Sequence, residues 1–168
     1  MHRKRVFLNI GQYYVTDQPN IISIVGLGSC VGVFLFDKYL RIGGGVHIAL
    51  PERKGNKFGF GKGAYADFAI NNQLVLFKKL GSPLKHIKAV VIGGAEVIKH
   101  ARFEIGNSNI LAVKHQMLEK GIFMAYENVG GHESRSINFL TDTGGFQIIK
   151  GGRIIKNYRY EQECIDSR

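Results

Sequence analysis

Cys30 and His47 are the residues from which a reaction could start. A cysteine is nucleophilic as its thiolate, and a free thiol with a pKa of about 8.5 is mostly protonated at neutral pH, so a base must sit beside the sulfur. His47, the first histidine after Cys30, is of the right type. Neighbouring strands could bring the two together. On residue types alone the alternative stays open: a buried thiol acting as a small hydrophobe, and an imidazole bonded to a backbone carbonyl. The second thiol, Cys164, lies in a polar tail with no histidine to activate it and reads as incidental. Neither cysteine belongs to a C-x-x-C pair, so neither zinc nor dithiol redox chemistry is indicated. Two glycine clusters invite nucleotide readings and fail them. Gly26-Leu27-Gly28 has Val31 where a dinucleotide site needs its third glycine, with no helix following and no acidic residue at the expected distance. Gly61-Lys62 is followed by Gly63 instead of the Ser or Thr that would bind magnesium.

Strands should flank Cys30. Ile21 to Val25 and Val31 to Phe36 are rich in β-branched and aromatic residues and meet at Gly26-Leu27-Gly28-Ser29, which predicts two strands joined by a tight glycine turn. Residues 39–50, stopped by Pro51, predict a third strand with His47 near its end, its glycines allowing close approach of neighbouring backbone. Residues 52–63 carry four glycines and four positive charges without a period and predict a mobile loop beside the site. From Ala64 the residues Ala66, Ala69, Ile70, Leu74, Phe77 and Leu80 recur at helical steps until Gly81-Ser82-Pro83. Ile87 to Ile92 predicts a buried strand ending at Gly93-Gly94, and Asn107, Ser108 or Asn109 should cap a second helix with Ile110, Val113 and Met117 on its apolar face. Val6 to Ile10, Ile122 to Tyr126, Ser136 to Leu140 and Phe146 to Ile149 add strands. The sum is an α/β fold, a single domain over residues 1–168 with a polar tail at 154–168.

Composition fits that picture. The 168 residues are 45% hydrophobic and 21% charged, an ordinary globular balance, and the longest apolar runs are too short to cross a bilayer. The basic start Met1 to Arg5 precedes only Val6 to Ile10 before Gly11, too short for a signal peptide, so a cytoplasmic protein is expected. The charge of +10 favours acidic partners. It lacks the dense interleaving with aromatics of single-strand binders, so a protein surface is expected and nucleic acid is not.

The string Gly26-Leu27-Gly28-Ser29-Cys30-Val31-Gly32-Val33, followed by Gly44-Gly45-Val46-His47-Ile48-Ala49-Leu50-Pro51, resembles the chemoreceptor glutamine deamidase family CheD. Ile92-Gly93-Gly94-Ala95, Ile105-Gly106-Asn107-Ser108-Asn109 and Gly130-Gly131-His132-Glu133-Ser134-Arg135-Ser136 are similar to its later motifs, so the resemblance runs over residues 11–149. It implies a mixed-sheet sandwich with two long helices, similar to the catalytic domain of cytotoxic necrotizing factor. It also implies Cys30 and His47 as catalytic pair, with no metal or organic cofactor. The implied reaction converts glutamine side chains on chemoreceptor cytoplasmic helices to glutamate, with ammonia released through a thioester. A glycine turn can aim successive amides at one point, which makes the backbone N–H groups around Gly28, Ser29 and Cys30 candidate oxyanion donors.

Some positions differ from the family pattern. Its threonine six residues before the cysteine, which would orient the histidine, is Ile24 here, with Ser23 one place earlier. Ser23 could substitute only if a bulge turned it inward. An acidic residue and a threonine before Gly130-Gly131 are Asn128 and Val129. The alternative function is a catalytically weakened regulatory module that binds a CheC-type phosphatase. Arg53, Lys54, Lys57 and Lys62 form the candidate substrate-binding loop.

Overall fold

The computed structural model describes residues 3–55, 59–98 and 104–159. Ten strands form two five-stranded sheets. The first sheet has the order β1 (Arg5–Phe7), β3 (Ile21–Leu27), β8 (Arg135–Leu140), β9 (Phe146–Lys150), β10 (Arg153–Tyr158). The second has the order β2 (Tyr13–Thr16), β5 (Ile42–Ile48), β4 (Val31–Asp37), β6 (Ile87–Gly93), β7 (Phe123–Val129). Both are mixed: β1 runs parallel to β3 and β6 parallel to β7, and the remaining pairs are antiparallel. Two helices, α1 (Ala66–Lys79) and α2 (Ile105–Glu119), cover one face of the second sheet. None of the described helices is long and apolar enough to cross a membrane.

Side-chain alternation builds the layers. In β4, Val31, Val33 and Leu35 pack with Ala69, Ile70 and Phe77 of α1 and with Ile110, Val113 and Met117 of α2. The opposite face sends Phe34 and Phe36 against Ile22, Ile24, Ile137 and Phe139 of the first sheet. Because β4 is covered on both faces, all seven of its residues are buried, and its sequence reads as a nearly continuous apolar run. The order of layers is therefore sheet, sheet, helices, with apolar cores on both sides of the second sheet.

Several expectations change. The two strands around Cys30, expected to meet at a tight glycine turn, lie in different sheets, so the chain between them crosses from one sheet to the other. Pattern alone could not distinguish a turn within a sheet from a crossing between sheets. The second helix opens at Ile105, so none of Asn107, Ser108 and Asn109 is its cap, and Asn109 is fully buried. Tyr13–Thr16 is a strand that the sequence did not suggest, and the first residues of the expected polar tail, 154–158, belong with Arg153 to a strand that pairs with β9 at the edge. That edge strand is mostly exposed, so its composition looked like solvated chain. The remainder of the tail from residue 160, with Cys164, lies outside the described residues.

The end of β6 shows how tightly α2 is docked. Gly94 has φ +68°, and a Cβ there would stand 2.4 Å from Cγ1 of Ile110. Gly94→Ala should therefore cost about 2–4 kcal/mol from left-handed backbone strain and overpacking, read as a lower denaturation midpoint with unchanged m.

Candidate functional site

Cys30 sits where the chain crosses from the first sheet to the second. The crossing starts from a bulge: Ile24 pairs with Ile137 but Leu27 with Arg135, so β3 carries one extra residue at Val25-Gly26, with Gly26 at φ +73°. The bulge lets both Ile24 and Leu27 face the inter-sheet core. Three consecutive carbonyls beyond it are then held. Ala95 N–H donates to Gly28 O at 2.8 Å, Asn109 Nδ2 to Ser29 O at 2.9 Å, and Gly94 N–H to Cys30 O at 2.8 Å. The described peptides are all trans, so the N–H of Ser29 points away from Ala95 and that of Cys30 away from Asn109. Gly93 permits the close approach, for a Cβ there would lie 2.3 Å from Cys30 O.

His47 reaches the same place from β5. Gly32 is directly opposite His47, and Val31 opposite Ile48. Cys30, one residue before Val31, shares the face of Gly32 and hence of His47, diagonally across the strand pair. Both project between the sheets: Cys30 packs against the inter-sheet core, and His47 Nδ1 lies 3.1 Å from Leu8 O. The segment between β1 and β2 wraps the histidine. Besides Leu8 O on the ring, Gly11 N–H donates to His47 O at 2.9 Å, and His47 N–H donates to Gln12 O at 3.1 Å. A carbonyl only accepts, so Nδ1 carries the proton and the neutral ring keeps its lone pair on Nε2. An open groove lined by Phe7, Leu8, Asn9, Ile10, Ser23 and Val25 leads to His47.

Burial sets the resting protonation. It pushes the Cys30 thiol above its ordinary value. It also pushes His47 below the usual imidazole range, and the bond to Leu8 O only partly offsets this. The resting pair is a neutral thiol and a neutral imidazole, as expected where water is too scarce to solvate two ions. Such a pair can pass a proton to a base while sulfur attacks a carbonyl-type carbon, and the amides of Ser29 and Cys30 are available to a developing oxyanion.

The other expected residues are dispersed. Ile24 is buried between the sheets, with Cδ1 facing Gly32. Ser23 points to the outer face of the first sheet, where its Oγ donates to Asn138 Oδ1 at 2.7 Å and accepts from Arg5 Nη1 at 2.8 Å. The bulge comes after Ser23 and so cannot turn it inward. The far end of the basic loop is held by backbone hydrogen bonds. Residues Lys62–Ala64 form a 3-10 turn, Gly63 N–H donates to Gly11 O, and the amides of Ala49 and Leu50 donate to Ala64 O. Arg53 stacks over the Phe68 ring at 4.8 Å, Lys54 is exposed, and Lys57 lies outside the described residues. Asn128 is engaged by Arg135, whose Nη1 donates to both its backbone oxygen and its Oδ1, while Nη2 donates to Gly130 O and Glu133 O. Sequence reasoning missed Leu8 O and the buried Asn109. Backbone acceptors leave no residue-type signal, and Asn109 looked like a helix cap.

Comparison with known proteins places these features among relatives. The family described as "CheD chemotactic sensory transduction" matches residues 49–150. "Chemoreceptor glutamine deamidase CheD" of Thermotoga maritima is 34% identical over 145 residues, covering 86% of this chain and 91% of that protein. The protein of the same name from Halalkalibacterium halodurans is 37% identical over 139 residues, covering 80% and 86%. "Probable chemoreceptor glutamine deamidase CheD" of Archaeoglobus fulgidus is 36% identical over 155 residues, covering 89% and 96%. Among solved structures, hypothetical protein YfiH of Bacillus licheniformis aligns at 16% identity with a TM-score of 0.40, over 68% of this chain and 49% of that one.

A neutral resting pair has a kinetic signature. Alkylation of Cys30 by iodoacetamide should rise with pH through one midpoint above that of an ordinary thiol, because burial disfavours the thiolate. A rate plateau extending below the imidazole range would show a thiolate–imidazolium pair instead.

Proposed function

Since the chain belongs to the CheD family, we propose that it is a protein-glutamine deamidase acting on the cytoplasmic helices of chemoreceptors, with Cys30 as nucleophile and His47 as acid–base. The observation that carries the catalytic reading is the register of β4 against β5: it sets His47 on the face of Cys30, and Leu8 O holds the ring with Nε2 as the free base. Cys30 Sγ attacks the carboxamide carbon as His47 Nε2 takes the thiol proton. The amides of Ser29 and Cys30 bind the oxyanion. Collapse breaks the C–N bond, the imidazolium protonates the departing nitrogen to ammonia, and a thioester remains. Water then attacks the thioester, giving up a proton to His47, and the thiol leaves with that proton restored. The product is glutamate and the free enzyme.

Leu8 O serves in this reading where the family's threonine hydroxyl would otherwise orient the ring. The loss of that hydroxyl at Ile24 is therefore no argument for the CheC-binding module. The basic loop contributes encounter: the positive charges of Lys54, Lys57 and Lys62, with Arg53 braced on Phe68, attract an acidic helical surface and speed its approach.

Mass spectrometry of receptor cytoplasmic fragments incubated with the protein should show Gln-to-Glu conversion. Cys30→Ala should abolish it, and His47→Ala should lose most of it, with both variants folded. Retained receptor binding without conversion would support the regulatory module instead. Ile24→Thr should leave kcat within about threefold while losing about 1–3 kcal/mol of stability, since it buries a hydroxyl where a methyl packed. Ser23→Ala should leave kcat unchanged; a large loss would return ring orientation to Ser23. Lys54→Glu combined with Lys57→Glu should lower kcat/KM at low ionic strength and spare Cys30 alkylation. Unchanged kcat/KM would remove the loop from recognition.

A further inference from the structure

Asn109 lies early in α2 and is fully buried. Its Nδ2 is 2.9 Å from Ser29 O and 2.9 Å from Ala49 O. Two carbonyls can only accept, so the amide orientation is fixed and both Nδ2 hydrogens are donated. One goes to the residue before Cys30 and the other to the backbone two residues beyond His47. The helix comes this close because Gly106 packs on Gly94, where a Cβ would stand 2.6 Å from Gly94 O. Asn109 Oδ1 is left buried without a partner. An orphaned buried acceptor is a cost, and a side chain that served packing alone would avoid it as leucine.

We propose that Asn109 is a positioning residue for the deamidation, a clamp that ties the Cys30 segment to the His47 segment and aims the Cys30 amide. The proposal rests on the Cys30–His47 reading above. The clamp acts through geometry: with Ser29 O drawn toward α2, the N–H of the same peptide plane, that of Cys30, faces the opposite side. Loosening it lets the nucleophile, the base and the oxyanion donor drift apart, and displacements of about 1 Å at such a site cost up to about 100-fold in rate.

A matched control exists in the same fold. Gln73 of α1 is also fully buried, donates through Nε2 to a sheet carbonyl, Val33 O at 3.3 Å, and leaves its own Oε1 without a partner. It bonds one carbonyl inside β4 and joins no two segments. Asn109→Ala, Asn109→Ser and Gln73→Ala should be compared by thermal melting, by steady-state deamidation of a receptor fragment, and by the pH profile of Cys30 alkylation. The expected result is that Asn109→Ala lowers kcat about 10- to 100-fold with KM within about twofold. Its alkylation midpoint should fall toward that of an ordinary thiol, because the loosened crossing admits water to Sγ. Gln73→Ala should lose comparable thermal stability with kcat and midpoint unmoved. Should Asn109→Ala not fold, Asn109→Ser is read in the same way. Equal effects of the Asn109 and Gln73 variants on kcat and midpoint would overturn the clamp. If the unsubstituted chain converts no glutamine, the receptor reading fails by itself. The alkylation midpoint needs no substrate and still decides on Asn109: an unshifted midpoint rejects the proposal.

Discussion

The site hangs on one crossing, the passage from Leu27 in the first sheet to Val31 in the second, in which the carbonyls of Gly28 and Cys30 are bonded to the residues that follow β6 and that of Ser29 to α2. A half-buried stretch outside a sheet must satisfy its polar backbone some other way. Here the end of β6 and the start of α2 supply the donors. Gly93, Gly94 and Gly106 follow from this arrangement, because side chains at those positions would collide with Cys30 O, Ile110 and Gly94 O respectively. Cys30 is thus tied to two elements by three hydrogen bonds, although it lies on a turn.

His47 is held by an equivalent device on the other strand. The β1-to-β2 segment also passes between sheets, and it binds His47 through both its main chain and its ring. Two crossings of opposite origin meet at one edge of the sandwich, and Gly32, opposite His47, leaves the space that Phe34, Ile24 and Leu27 fill. The buried polar groups follow the same logic. Asn109 and Arg135, which organise the crossing and the Gly130-Gly131 loop, each keep one buried atom without a partner. A core optimised for stability alone would not carry them.

The energetics of the pair favour latency. Moving a thiol and an imidazole between two sheets costs their charged forms more than one carbonyl hydrogen bond returns, so both are neutral at rest. A neutral thiol resists adventitious oxidation and metal capture, which act on thiolates. Phe7, Ile10 and Val25 are exposed at the rim of the groove that leads to His47.

Much of this was legible in the residues. Local periodicity gave both helices, and β-branched runs gave β4 and β6 to within a residue, because these elements are strongly patterned and buried. The types and order of Cys30, His47 and the glycine motifs carried the family resemblance, since nucleophile, base and tight turns each demand a particular side chain or none. The partners of those residues were decided only in three dimensions. Whether β3 and β4 form a hairpin or split between sheets depends on which apolar faces find each other across the whole chain. The sequence pointed to Ser23 or a lost hydroxyl at Ile24 for the orientation of His47, whereas the fold uses the carbonyl of Leu8, which any residue would have provided. Asn109 read as a cap because that is the local role of its type. Tertiary packing buried it instead, where its two amide hydrogens could reach two carbonyls far apart in the chain.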